Sequence, residues 1–178
     1  MLQPERKAGG SSAVHKGNYL MDIIREKTCC FTGHRPEKLH ESEGEVIYAL
    51  RAKVCHAIED GFDTFITGMS RGVDIWAAEI VLELKRENPE IRLVAALPYD
   101  GMGNSWNSRW KNSYFDILEK ADLIKIFSPN YQPFVYGERD RWMVDMSSRV
   151  IAVYHGEAGG TKNTMDYAEK NGIEVIEC

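Results

Sequence analysis

The sequence has no apolar run approaching the roughly 20 residues that a membrane-crossing helix needs, so no membrane partner is expected. It has no excess of basic residues either: 22 lysines and arginines stand against 27 acidic side chains, a net charge of −5. A broad nucleic-acid footprint, which shows as a basic domain or stripe, is thereby disfavoured, although a local basic pocket is not. The only cysteines are Cys29, Cys30, Cys55 and Cys178, none in CxxC or Cys/His ligand spacing, and the five histidines are scattered. That pattern reads as reduced, mostly buried thiols in a cytoplasmic protein without a metal site. Also missing are an internal repeat, a low-complexity insert and any Ser/His/Asp or Cys/His arrangement that would announce nucleophilic catalysis.

What is present is an ordinary globular composition, 43% hydrophobic and 28% charged over 178 residues. One domain with a full core accounts for it. Residues 1–20 lack periodicity and are rich in Gly, Ser and Lys, which reads as a mobile tail ahead of a folded domain over 21–178.

Within that domain, six short apolar runs alternate with helical patterns. The runs are 28–32, 64–67, 91–97, 122–127, 150–154 and 173–176. Between the first two, Val46, Ile47, Leu50, Val54, Ala57 and Ile58 recur at helical spacing, and Gly61 closes the helix. Later helices are expected around Trp110–Ala121, over 137–147 and from Thr164 to Lys170. Strands alternating with helices predict an α/β, Rossmann-like, doubly wound and mainly parallel sheet. Right-handed crossovers favour the strand order 3-2-1-4-5-6, with a crevice between strands one and four.

The chemistry-bearing turns fall at the carboxyl ends of these strands and so converge on one edge of the sheet. The stretch after the second run, Gly68-Met69-Ser70-Arg71-Gly72-Val73-Asp74, has the strand–turn–helix form that aims backbone N–H groups at an anion. Arg71 adds a forked donor set suited to phosphate. Asp74 is placed either to cap the helix or to accept a ribose hydroxyl. Gly33, His34 and Arg35 end the first run, where a ligand would cross. Gly159, Gly160 and Thr161 follow the fifth run as a second cradle for phosphate. On the expected fourth helix Trp142 and Met143 read as core, and Arg139 as the residue reaching the crevice. Tyr99, Trp106, Trp110 and Tyr114 offer one candidate base-stacking ring among rings that mostly pack. Glu79, Asp74 and Asp166 are the carboxylates near the relevant turns.

With those residues in view, the chain resembles the YpsA-like branch of the SLOG superfamily, Rossmann-like proteins related to DprA and to the LOG phosphoribohydrolases. The resemblance spans about residues 28–177. It is carried by Thr32-Gly33-His34-Arg35-Pro36, by the G-x-x-R-G-x-D segment at Gly68–Asp74, and by Arg139–Asp145 with the Gly159-Gly160-Thr161 turn. It implies a nucleotide-like small molecule in the crevice, with no required cofactor, and leaves a homo-oligomer open. LOG members cleave N-glycosidic bonds of nucleoside monophosphates with an Arg and a Glu. Arg139 is similar to that Arg, but the Glu falls on Asn163, with Asp166 about a turn further on. Binding or sensing therefore carries over better than hydrolysis. If there is catalysis, Arg139, Asp166 and Glu79 are its candidates. DprA-like single-stranded DNA binding is the third implication, disfavoured by the acidic balance.

Overall fold

The computed structural model describes residues 23–178; the tail expected over 1–20 lies outside them. Six strands, β1 (Thr28–Gly33), β2 (Thr64–Thr67), β3 (Arg92–Leu97), β4 (Leu123–Ile126), β5 (Arg149–Val153) and β6 (Glu174–Glu177), form one sheet. Every pairing in it is parallel. Five helices connect them: α1 (Glu43–Glu59), α2 (Val73–Glu87), α3 (Ser108–Lys120), α4 (Val135–Asp145) and α5 (Gly160–Lys170). Alternation along β1 explains the two layers. Cys29 and Phe31 pack with the buried faces of α1, α2 and α3. Cys30 packs in the opposite layer with Met143 and Val144 of α4 and Ala168 of α5. Both cysteines are fully buried, and burial pushes the Cys30 thiol up to about 12.

The α/β, Rossmann-like class is as the sequence predicts, but the strand order is β4-β3-β2-β1-β5-β6. The expected order 3-2-1-4-5-6 placed the fourth strand beside the first. The physical reason for the difference lies in β4 itself. A strand inside a parallel sheet needs both faces covered, and β5 meets that demand with five buried residues. In β4 only Leu123 is buried, Ile124 and Ile126 are exposed, and Lys125 sits between them. That is the composition of an edge. β4 therefore joins outside β3, with Val94 opposite Leu123. The chain then crosses back through α4 to lay β5 against β1, Cys29 opposite Arg149 and Gly33 opposite Val153. The switch point, and with it the crevice, moves from between strands one and four to between β1 and β5.

Local signals account for the helix ends. Ser42 and Glu45 form a reciprocal capping box at the start of α1. Asn107 accepts from the Trp110 N–H to open α3. Among the described residues no side-chain oxygen does the same for α2 or α5, and both of those helices begin at the sheet's carboxyl edge.

Candidate functional site

A cavity of about 290 Å³ opens over the β1–β5 switch point. Its walls come from four places: the end of β1 with the turn after it, the β2–α2 loop, one face of α4, and the start of α5. Of the residues singled out in the sequence, Gly33, His34, Arg35, Gly68, Ser70, Asp74, Arg139, Gly159, Gly160 and Thr161 all line it. Arg71 does not. It lines a neighbouring cavity of about 330 Å³, and its Nη1 is 2.9 Å from Glu37 Oε1. Gly72 lines neither cavity and sits with φ 92° directly under Pro36.

The β2–α2 loop is wound around Asp74. The Ser70 N–H donates to Asp74 Oδ2 at 3.1 Å. Thr67 Oγ1 donates to the Asp74 carbonyl at 2.8 Å and accepts from the Met69 N–H at 3.2 Å. Met69 has φ 60° and is fully buried, a left-handed conformation that a non-glycine residue holds only under constraint. This loop thus spends the Ser70 N–H on its own carboxylate, where the sequence reading had it facing an anion. Asp74 is buried, and desolvation raises its pKa to about 6 against the opposing pull of Arg139 and the Ser70 N–H. Its carboxylate stands at the cavity wall as an acceptor for a hydroxyl.

Arg139 is also buried. Its Nη1 donates to the carbonyls of Gly68 and, at 3.4 Å, Ala96, and its Nε to Asp140 Oδ1 at 2.7 Å. It ties α4 to the ends of β2 and β3. Gly68 has no side chain because a Cβ there would overlap that guanidinium and come within 2.9 Å of Asp74 Oδ2.

The opposite wall is built differently. Helix α5 begins at Gly160, four residues earlier than the sequence pattern suggests, so its first turn, with N-cap Gly159, faces the cavity uncapped by any side chain. Gly159 has φ 153°, which favours glycine, and a Cβ at Gly159 or Gly160 would meet only open space. The free N–H groups of an uncapped first turn, with the positive end of the helix dipole behind them, suit an anion. On the wall of the same cavity His34 is 5% exposed, and its Nε2 is buried without a hydrogen-bond partner among the described residues. Burial and the neighbouring His155 ring, 5.9 Å away, hold the His34 pKa below its ordinary value. Arg35 is exposed, and its side chain makes no hydrogen bond or ion pair among the described residues. Lys38 Nζ reaches across the mouth to Glu157 Oε2 at 3.2 Å.

Glu79 and Asp166 lie away from the cavity. Glu79 is exposed on α2 and accepts from Ser113 Oγ at 2.7 Å; Asp166 is exposed and paired with Lys162. Asn163 is exposed on α5 and lines neither cavity. Among the described residues, the carboxylates that do line the cavity are Asp74 and Asp140. Asp140, Tyr136 and Lys38 were absent from the sequence reading. The helical spacing of Tyr136, Arg139, Asp140 and Met143 (i, i+3, i+4, i+7) is the signal that places all four on one face. Among the described residues no group of His, Cys, Asp and Glu is arranged to hold a metal, and no helix is long and apolar enough to cross a membrane.

Comparison with known proteins bears on the family and the fold. A family model described as the YspA SLOG family matches residues 29–175. A UPF0398 protein of Ligilactobacillus salivarius is 29% identical, over 76% of this chain and 78% of that one. A UPF0398 protein of Staphylococcus aureus strain JH9 is 27% identical over 74% of each. Among solved structures, DNA processing protein A from Helicobacter pylori, studied for its single-stranded DNA binding mode, matches with a TM-score of 0.59 at 16% identity. The match covers 90% of this chain and 68% of that one, a likeness of fold.

Proposed function

The chain belongs to the YspA SLOG family, and from that premise we propose that it binds a nucleotide-derived ligand, of the ADP-ribose or dinucleotide kind, at the β1–β5 switch point. The observation that carries this reading is the pairing of the uncapped start of α5 with the unpartnered His34 Nε2 on the walls of one cavity. A phosphate there would take N–H bonds from the helix turn, a proton-bearing nitrogen from His34 and charge from Arg35. Asp74 and Asp140 on the far wall suit ribose hydroxyls. The proposed role is binding or sensing without turnover. The LOG-like carboxylate position is Asn163, and Asp166 is engaged with Lys162.

Calorimetry across AMP, ADP-ribose, a dinucleotide and inorganic phosphate tests the reading, with sub-millimolar binding expected for at least one nucleotide. Failure of all of them to bind defeats it. A second reading, single-stranded DNA binding, is supported by the likeness of fold to DNA processing protein A. It predicts an affinity for oligo-dT that falls steeply with salt, since each phosphate contact releases counterions. Anisotropy titration of oligo-dT at two salt concentrations separates the two. An N-glycosidase would release free base from AMP, and chromatography of an AMP incubation is expected to show none.

A further inference from the structure

The cavity that holds Arg71 has no role in the reading so far. It is about 330 Å³, similar in size to the first, and it is lined by Tyr99, Met102, Ser105, Trp106 and Asn107 from the β3–α3 connection. The two cavities share a wall of three residues, Arg35, Ser70 and Tyr136. They are therefore two chambers of one groove along the carboxyl edge, with an unpaired guanidinium standing at the junction.

The chambers differ in chemistry. The first offers helix N–H groups, His34 and two carboxylates. The second is walled by rings: Tyr99 meets Tyr136 edge-on with centroids 6.2 Å apart, and Tyr131, outside the lining, backs Tyr99 at 5.7 Å. Trp106 is half-buried, propped edge-on against the buried ring of Tyr114 at 5.2 Å. A half-exposed indole fixed from behind is a surface for stacking a flat heterocycle, and every nucleobase has such a face. Ser105 and Asn107 are exposed polar side chains at its edge. Arg71, held by Glu37, supplies a second cation near the junction.

We propose that the ligand has two nucleosides joined through phosphate. One nucleoside sits in the first chamber, the linking phosphates lie against Arg35 at the junction, and the second base stacks on Trp106 in the second chamber. This deepens the nucleotide reading and rests on it.

The test compares AMP, ADP-ribose, which has one base, and NAD, which has two, by calorimetry on the wild type and on Trp106→Ala and Ser105→Trp. Base–aromatic stacking corresponds to about a five- to hundredfold gain in affinity. NAD is therefore expected to bind at least fivefold tighter than ADP-ribose. Trp106→Ala and Ser105→Trp should each erase that gain while leaving AMP binding within twofold. Ser105 is exposed, so its replacement fills the second chamber without removing core packing and stands in if Trp106→Ala fails to fold. Equal affinities for NAD and ADP-ribose, or a gain that survives Ser105→Trp, overturn the two-chamber proposal while AMP binding keeps the first site. Binding of none of the three overturns both, and oligo-dT bound in preference to all three replaces the two-nucleoside ligand with a DNA strand.

Discussion

The guanidinium of Arg139 donates to the carbonyl oxygen of Gly68, across 71 positions of sequence. The bond pins the crossover helix α4 to the loop that builds the cavity wall. An arginine that the family resemblance casts as a reacting group thus also ties down the buried carbonyls of Gly68 and Ala96 and the half-buried carboxylate of Asp140. Arg139→Ala strips charge-assisted hydrogen bonds from buried acceptors, each of which is worth about 1.5–3 kcal/mol. The expected outcome is a loss of stability of at least that size in urea unfolding, accompanied by weaker nucleotide binding. A variant as stable as the wild type would show the bond to be dispensable.

Asp74 gives the stability a pH signature. Its pKa is about 6 in the fold against 3.8 in the ordinary carboxyl, so between those values the folded chain holds a proton that the unfolded chain has released. Stability from this group is full below about pH 4 and falls as pH rises to about 6. The total is on the order of 3 kcal/mol for a shift of this size. Asp74→Asn removes the titration. Unfolding free energies of the two proteins should diverge between pH 4 and 6, in favour of the variant. Parallel curves would show that Asp74 is solvated more than its burial indicates.

Gly159 and Gly160 make a matched pair of tests. Alanine at Gly160 enters the first helical position with open space around it, and reducing unfolded-chain freedom stabilises by about 0.4–1 kcal/mol. Alanine at Gly159 must hold φ 153°, at a cost on the order of 1–3 kcal/mol. Thermal melts should rise for Gly160→Ala and fall for Gly159→Ala. Phosphate affinity should drop in the second because the turn relaxes away from the cavity.

Arg35 and Arg71 should behave differently toward a mononucleotide. Arg35→Ala removes a cation from the wall of the first cavity, at a cost of about 1.5–3 kcal/mol of AMP binding for a charge-assisted bond. Arg71→Ala removes a residue already paired with Glu37 in the second cavity, and AMP binding should change less than twofold. The reverse ranking by calorimetry would put the phosphate in the second cavity.

Much of this was legible in the sequence because a parallel sheet brings all carboxyl-end turns to one edge whatever their partners are. Gly33, His34, Gly68, Asp74 and Gly159 could be placed there from position alone. The placement of β4 was written in Lys125, a charged residue in an apolar run, but handedness rules alone do not weigh such a residue. The capture of Arg71 by Glu37 depends on a 3-10 turn at Pro36–Lys38, and that of Asp74 by Ser70 on the left-handed Met69. Local spacing carries no trace of either. Asp140 belongs to no motif of its own, and its place on the cavity follows only from sharing with Arg139 the face that α4 turns to it.

The strand order also sets a timetable for synthesis. β1 finds β2 early, Cys30 opposite Ile66, but its other flank waits for β5, with Cys30 opposite Val150. As the chain leaves the ribosome, the β4-β3-β2-β1 half-sheet can assemble while β1, its Cys29, Cys30 and Phe31 destined for full burial, is still an open edge. Unpaired apolar edges recruit other strands. The nascent chain therefore carries an open, aggregation-prone β1 edge until β5 emerges, and the α4 crossover, anchored by Arg139, is the step that brings β5 to it.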